Sequence, residues 1–184
     1  MSAALATDSD GPGPADLITG LRLGMAIGIG SAALFAAPKP ALVTALLLIA
    51  LATDAFDGWL ARGSGTASSF GARFDLETDA VLLAAASLHA AAFAGALVLV
   101  APLLRPAWVI SCRFLPWLDQ PLPPSRRRQT LCALPIFLLI FVPWPLGGSV
   151  WAAPVGLTAV LLLFVSFAID VVHQWLRRAA SSPA

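Results

Sequence analysis

The sequence is poor in charge: only 11% of its 184 residues are Asp, Glu, Lys or Arg, against about 25% in soluble domains. With 59% hydrophobic residues and a mean hydropathy of +0.86, that shortage argues against a soluble globule. A soluble helical bundle would also need a polar face recurring every 3.6 residues, and the long apolar runs mostly lack one. A nucleic-acid partner is not expected at a net charge of +1. Cysteine is scarce too. Cys112 and Cys132 lie in apolar surroundings without metal-type spacing, which favours packing thiols over a disulfide or a zinc site. Residues 1–14 lack the basic start and apolar core of a secretory signal, and their Ser, Asp, Gly and Pro read as a disordered lead-in. Residues 15–178 then form a single membrane domain, with 179–184 as a tail.

What the chain has in quantity is apolar sequence. A bilayer core about 30 Å thick takes about 20 helical residues to cross, and the runs predict an all-α integral membrane protein with six transmembrane helices. The expected spans are about 16–37, 40–61, 75–101, 106–119, 130–147 and 150–176. The fourth is the shortest, squeezed by Pro106, Pro116 and Pro121, with Arg105 and Pro106 marking the turn before it. If the N-terminus is cytoplasmic, Arg62, Arg73, Arg126, Arg127, Arg128, Arg177 and Arg178 all fall on that side. Only Lys39 and Arg105 then face the other way, as the positive-inside rule requires. A cell's inner (cytoplasmic) membrane is the expected location, and Trp117, Trp144, Trp151 and Trp175 sit near helix ends as interfacial rings do.

Against this background, residues 53–80, TDAFDGWLARGSGTASSFGARFDLETDA, hold half of the ten acids: Asp54, Asp57, Asp75, Glu77 and Asp79. An aspartate at the centre of a membrane helix costs about 2.5–3.5 kcal/mol on insertion scales, so such a group needs water, a partner or a cation. Asp54 and Asp57 are three residues apart, and Asp75 and Asp79 four apart, which places each pair on one helix face roughly 5–6 Å apart. The Gly- and Ser-rich segment 63–74 returns the chain to the same membrane side. Four converging carboxylates with no lysine nearby suit hard cations, Mg²⁺ or Mn²⁺. Two such ions about 3.5–4 Å apart suit a phosphoryl-type displacement. Glu77 is turned about 200° from Asp75 and Asp79 at a helix's roughly 100° per residue, and reads as a solvated or structural acid. Gly58 permits close approach to the helix backbone, Ala61 keeps the next turn small, Arg62 offers a donor fork for phosphate, and Gly71 opens the facing helix.

Asp54, Asp57, Gly58, Ala61, Arg62, Gly71, Asp75 and Asp79 match, at every spacing, the pattern D-x-x-D-G-x-x-A-R, eight residues, G-x-x-x-D-x-x-x-D. In this the chain resembles the CDP-alcohol phosphatidyltransferase family, of the bacterial six-helix type. The resemblance implies a membrane enzyme, usually a homodimer, that moves a phosphatidyl group from CDP-diacylglycerol to a polar alcohol and releases CMP. Carried onto these positions, Asp54, Asp57, Asp75 and Asp79 would ligate two Mg²⁺ or Mn²⁺ ions, and Asp79 would also act as general base. Gly58, Ala61, Arg62 and Gly71 would line the CDP pocket. The first helix matches the family pattern at Thr19 and Arg22 and departs from it at Ala15 and Asp16.

For the acceptor alcohol, Arg113 and the run Arg126, Arg127, Arg128 could supply guanidinium forks, which favours a polyol or sugar phosphate such as glycerol phosphate or inositol phosphate. The arginine run also suits a headgroup anchor. His89 reads as a packed histidine and His173 as an interfacial one. The reading from a different class is a divalent-cation or solute transporter using the same carboxylates; release of CMP separates the two.

Overall fold

The computed structural model describes residues 14–35, 39–64, 69–120, 126–146 and 148–181, with side chains described for 20–35, 39–53, 76–120, 127, 130–146 and 148–179. The disordered lead-in expected for 1–14 falls almost wholly outside this set. All regular structure among the described residues is helical: α1 Pro14–Phe35, α2 Pro40–Ser64, α3 Ser69–Ala94, α4 Val100–Phe114, α5 Arg126–Phe141 and α6 Ala152–Ser181. Short 3-10 segments, Ala96–Leu99 and Pro116–Leu118, lead into and follow α4. Three stretches are long and apolar enough to cross a membrane: Leu76–Ala94, Ala96–Phe114 and Ala152–Ala179.

Successive helices alternate in direction, and the contacts between them follow from which residues are small. Along α1 the inward stripe is Arg22, Ala26, Ile29 and Gly30; along α3 it is Thr78, Leu82, Ala85, Ala86 and Ala90. Alanine and glycine let backbones approach, which in lipid is what drives helices together. A Cβ on Gly30 would lie 3.6 Å from that of Ala85. The start of α2 meets the end of α5 through Thr44, whose Oγ1 donates to the Ile140 carbonyl at 3.1 Å, so a buried hydroxyl is satisfied where no water is at hand. Leu97, Leu103, Phe114, Phe164 and Trp175 point outward, the arrangement of a protein whose solvent is lipid.

Among the described glycines the tightest surroundings are those of Gly156, where α6 meets the end of α3. A Cβ on Gly156 would lie 2.7 Å from the Ala94 Cβ and 2.8 Å from a Val98 methyl. The Ala94 Cβ sits directly on its backbone and cannot swing aside, so α6 would have to move. Gly156→Ala should therefore destabilise the fold by about 1–3 kcal/mol, the usual cost of overpacking. Thermal unfolding in detergent checks this, and an unchanged midpoint would show that the seam has slack.

Two sequence expectations are corrected here. The third helix ends at Ala94, not near residue 101, and the turn into the fourth lies at Gly95, not at Arg105 and Pro106. Gly95 has φ of 88°, a left-handed conformation that closes helices and that glycine adopts without strain, and its N–H still bonds Ala91 O at 3.0 Å. Pro106 is inside α4, as membrane helices allow, so the fourth stretch begins at Ala96 and is no longer short of residues. The fifth helix likewise stops at Phe141 and not near 147. Helix also runs further into the expected 63–74 connection than the Gly and Ser content suggests, through Ser64 and again from Ser69.

Candidate active site

The motif is carried by two helix ends. Asp54, Asp57, Gly58, Ala61 and Arg62 belong to the last turns of α2, and Gly71, Asp75 and Asp79 to the first three turns of α3, with only residues 65–68 between the two helices. The side chains of residues 54–75 lie outside the described set, and Asp79 is the motif residue whose surroundings are visible. Among the described residues no three His, Cys, Asp or Glu side chains come together. The donor set itself fits hard divalent ions: four carboxylates, with neither lysine nor histidine in the motif.

The Asp79 side chain is 36% exposed, and its Oδ1 lies 3.6 Å from Nη1 of Arg22, whose side chain is 1% exposed. That separation is a charge contact; it is longer than a hydrogen bond. Arg22 occupies the inward stripe of α1 one turn before Ala26, at the motif end of the α1–α3 seam. Glu77 turns away from the seam, as its position on the helix predicts. It is 64% exposed and accepts a hydrogen bond from Arg105 Nη2 at 2.7 Å. Arg105 thus reaches from within α4 toward the motif half of α3, and does not mark the opposite membrane face.

The motif end of the bundle also gathers the start of α5 and the ends of α4 and α6. Arg113 stands exposed in the last turn of α4. Arg127 donates to Asp170 Oδ1 across α5 and α6 at 3.1 Å, the acid being 13% exposed. The side chains of Arg126 and Arg128 lie outside the described residues. The segment after α4 is strapped to α6: Leu118 is buried, Gln174 Nε2 donates to the Gln120 carbonyl at 2.6 Å, and the Arg178 guanidinium lies 5.7 Å from the centre of the Trp117 ring. His89 is buried, edge-on to Phe93 at 6.0 Å, as expected of a packed histidine, and His173 is exposed. Cys112 and Cys132 are free thiols.

Two residues of consequence were given no role by sequence reasoning. Asp170 is a single acid within a long apolar helix, and that alone signals a buried partner. Arg22 falls at the spacing of the Ala26 and Ile29 stripe, which foretells its burial.

No curated protein and no solved structure matches the chain. The CDP-alcohol phosphatidyltransferase family profile matches residues 14–176, taking in α1 to α5, all but the last residues of α6 and every position of the aspartate motif. The chain therefore belongs to the CDP-alcohol phosphatidyltransferase family, membrane transferases of phospholipid biosynthesis that join a CDP-linked group to an alcohol.

Proposed function

We propose that this protein transfers the phosphatidyl group of CDP-diacylglycerol to the hydroxyl of a polyol or sugar phosphate. The reaction takes place at the cytoplasmic face of a bacterial inner membrane, in a homodimer of six-span chains. The observation that carries this reading is the complete aspartate motif on the end of α2 and the start of α3, in a chain of this family.

Asp54, Asp57, Asp75 and Asp79 would hold two Mg²⁺ or Mn²⁺ ions. Once bound, these offset charge on the diphosphate and on the departing CMP. Gly58, Ala61 and Gly71, with little or no side chain, would leave room for the nucleotide, and Arg62 would offer the diphosphate a donor fork. Asp79 takes the proton of the acceptor hydroxyl. The hydroxyl oxygen bonds to the phosphatidyl phosphorus as the bond from that phosphorus to CMP breaks.

A phosphorylated acceptor brings further negative charge toward a carboxylate cluster and calls for separate cations. Arg113, exposed at the end of α4, is the leading candidate, with Arg126 and Arg128 nearby in sequence on α5. Arg127 already shares its charge with Asp170, which lowers its net pull on an anion.

The test is steady-state CMP release by purified protein given CDP-diacylglycerol and a panel of alcohols. For Arg113→Ala the acceptor KM should rise about tenfold or more while the KM for CDP-diacylglycerol stays within about threefold. An unchanged acceptor KM, or turnover with serine alone, would remove the phosphorylated acceptor. No CMP release with any alcohol would remove the transferase reading itself.

A further inference from the structure

We infer that Arg22 is a positioning residue: from its buried place in the α1–α3 seam it fixes the carboxylate of Asp79 for proton transfer. This rests on the role proposed for Asp79 above.

The pair is lopsided. Arg22 is 1% exposed while the carboxylate it faces is 36% exposed. An ion pair serving only to join two helices has no need of an open acid. Here the cation is the enclosed member and the acid the accessible one, which is the arrangement of an anchor and the group it aims. The seam gives Arg22 no packing rationale either. Beyond it α1 and α3 meet through Ala26, Ile29, Gly30, Ala85 and Ala86, and an apolar residue at position 22 would continue that contact. A buried ion pair is commonly no more stabilising than apolar residues of similar volume, and an arginine within a membrane helix adds an insertion cost.

Depth and direction agree with the role. Gly30 approaches Ala85, and eight residues earlier on α1 Arg22 meets Asp79, six residues earlier on α3. The two helices therefore run parallel, and Arg22 arrives at the motif end. At 3.6 Å the Nη1–Oδ1 contact is one of charge, longer than a hydrogen bond, and it is made to one of the two carboxylate oxygens. Fixing Oδ1 restricts rotation of the carboxylate, and a general base must lie within hydrogen-bond reach of the proton it takes. An error of about 1 Å in such placement costs on the order of a hundredfold in rate.

The experiment compares wild type with Arg22→Gln, Arg22→Met and Arg22→Lys. Arg22→Met is included because an unbranched apolar side chain suits a membrane seam and keeps a folded variant available. For each, kcat and both KM values are measured with CDP-diacylglycerol and the best acceptor, along with the Kd for CDP in Mn²⁺ and the unfolding midpoint in detergent. The expected result is a kcat lowered about a hundredfold in Gln and Met, with KM and the CDP Kd within about threefold and at least a tenth of the lost rate restored by Lys. A kcat within about threefold of wild type in a folded Gln or Met variant, or a Lys variant no better than these, would overturn the inference. So would a fall in CDP affinity as large as the fall in kcat, since that marks general disruption of the site. Because wild-type CMP release is measured alongside, failure of Arg22 to matter is distinguishable from failure of the transferase reading.

Discussion

Asp57→Ala should insert and fold at least as well as wild type and yet turn over about 10²–10³-fold more slowly, the loss typical of removing one preorganised charge-stabilising group. The two halves of this expectation come from the same physics. A carboxylate in a membrane helix costs about 2.5–3.5 kcal/mol to insert, so removing it relieves the fold while depriving the site of a ligand. Alanine at Asp54 or Asp75 should behave alike, whereas Asp79→Ala should lose turnover and also stability, because it removes the carboxylate that the buried Arg22 guanidinium faces. Glu77→Ala provides the contrast within the same helix turns. Glu77 faces outward and is bound to Arg105, and its loss should leave kcat within about threefold. A folded Asp57→Ala protein with a third or more of wild-type turnover would refute the assignment, and so would a Glu77 variant as damaged as the motif variants.

Removing divalent cations should have an effect at least as large. Chelation should abolish CMP release, and Mg²⁺ or Mn²⁺ should restore it, because four carboxylates beside a diphosphate gather more negative charge than Arg62 alone offsets. A second readout does not depend on turnover. An ion that binds only the folded state stabilises it by mass action, about 2.7 kcal/mol at a hundred times its dissociation constant. Mn²⁺ should thus raise the unfolding midpoint of the wild type and have little effect on Asp57→Ala. Full activity in chelator would rule out a metal-dependent reaction, and equal stabilisation of both proteins would place the ions elsewhere.

The motif was legible in sequence because its residue types are expensive in lipid and its spacings are periodic on a helix. Six helices were legible from the apolar runs. The break between the third and fourth was misplaced because Arg105 and Pro106 are a stronger local signal than a lone Gly95. What overrides that signal is tertiary: Arg105 is stable inside α4 because Glu77, far away in sequence, meets it at 2.7 Å. The partnership of Arg127 with Asp170 and the burial of Arg22 against Asp79 are of the same kind. Sequence shows that such charges need partners, while helix packing decides which ones they get.

The position of Asp54 on α2 has a consequence for the lipid around the protein. From Pro40 to Thr53 the helix carries no charge, a length of roughly 21 Å at 1.5 Å per residue. A hydrocarbon core is about 30 Å thick, and tilting shortens the projected length of a helix, so tilt cannot close the gap. Where α2 crosses a bilayer, about 9 Å of the crossing beside the carboxylates must then be met by thinned lipid, at a fraction of a kcal/mol per ångström, or by a polar recess within the bundle. Either arrangement would bring headgroup depth to the motif end of α2, so that in the reaction proposed above a lipid donor would meet the carboxylates without leaving its leaflet.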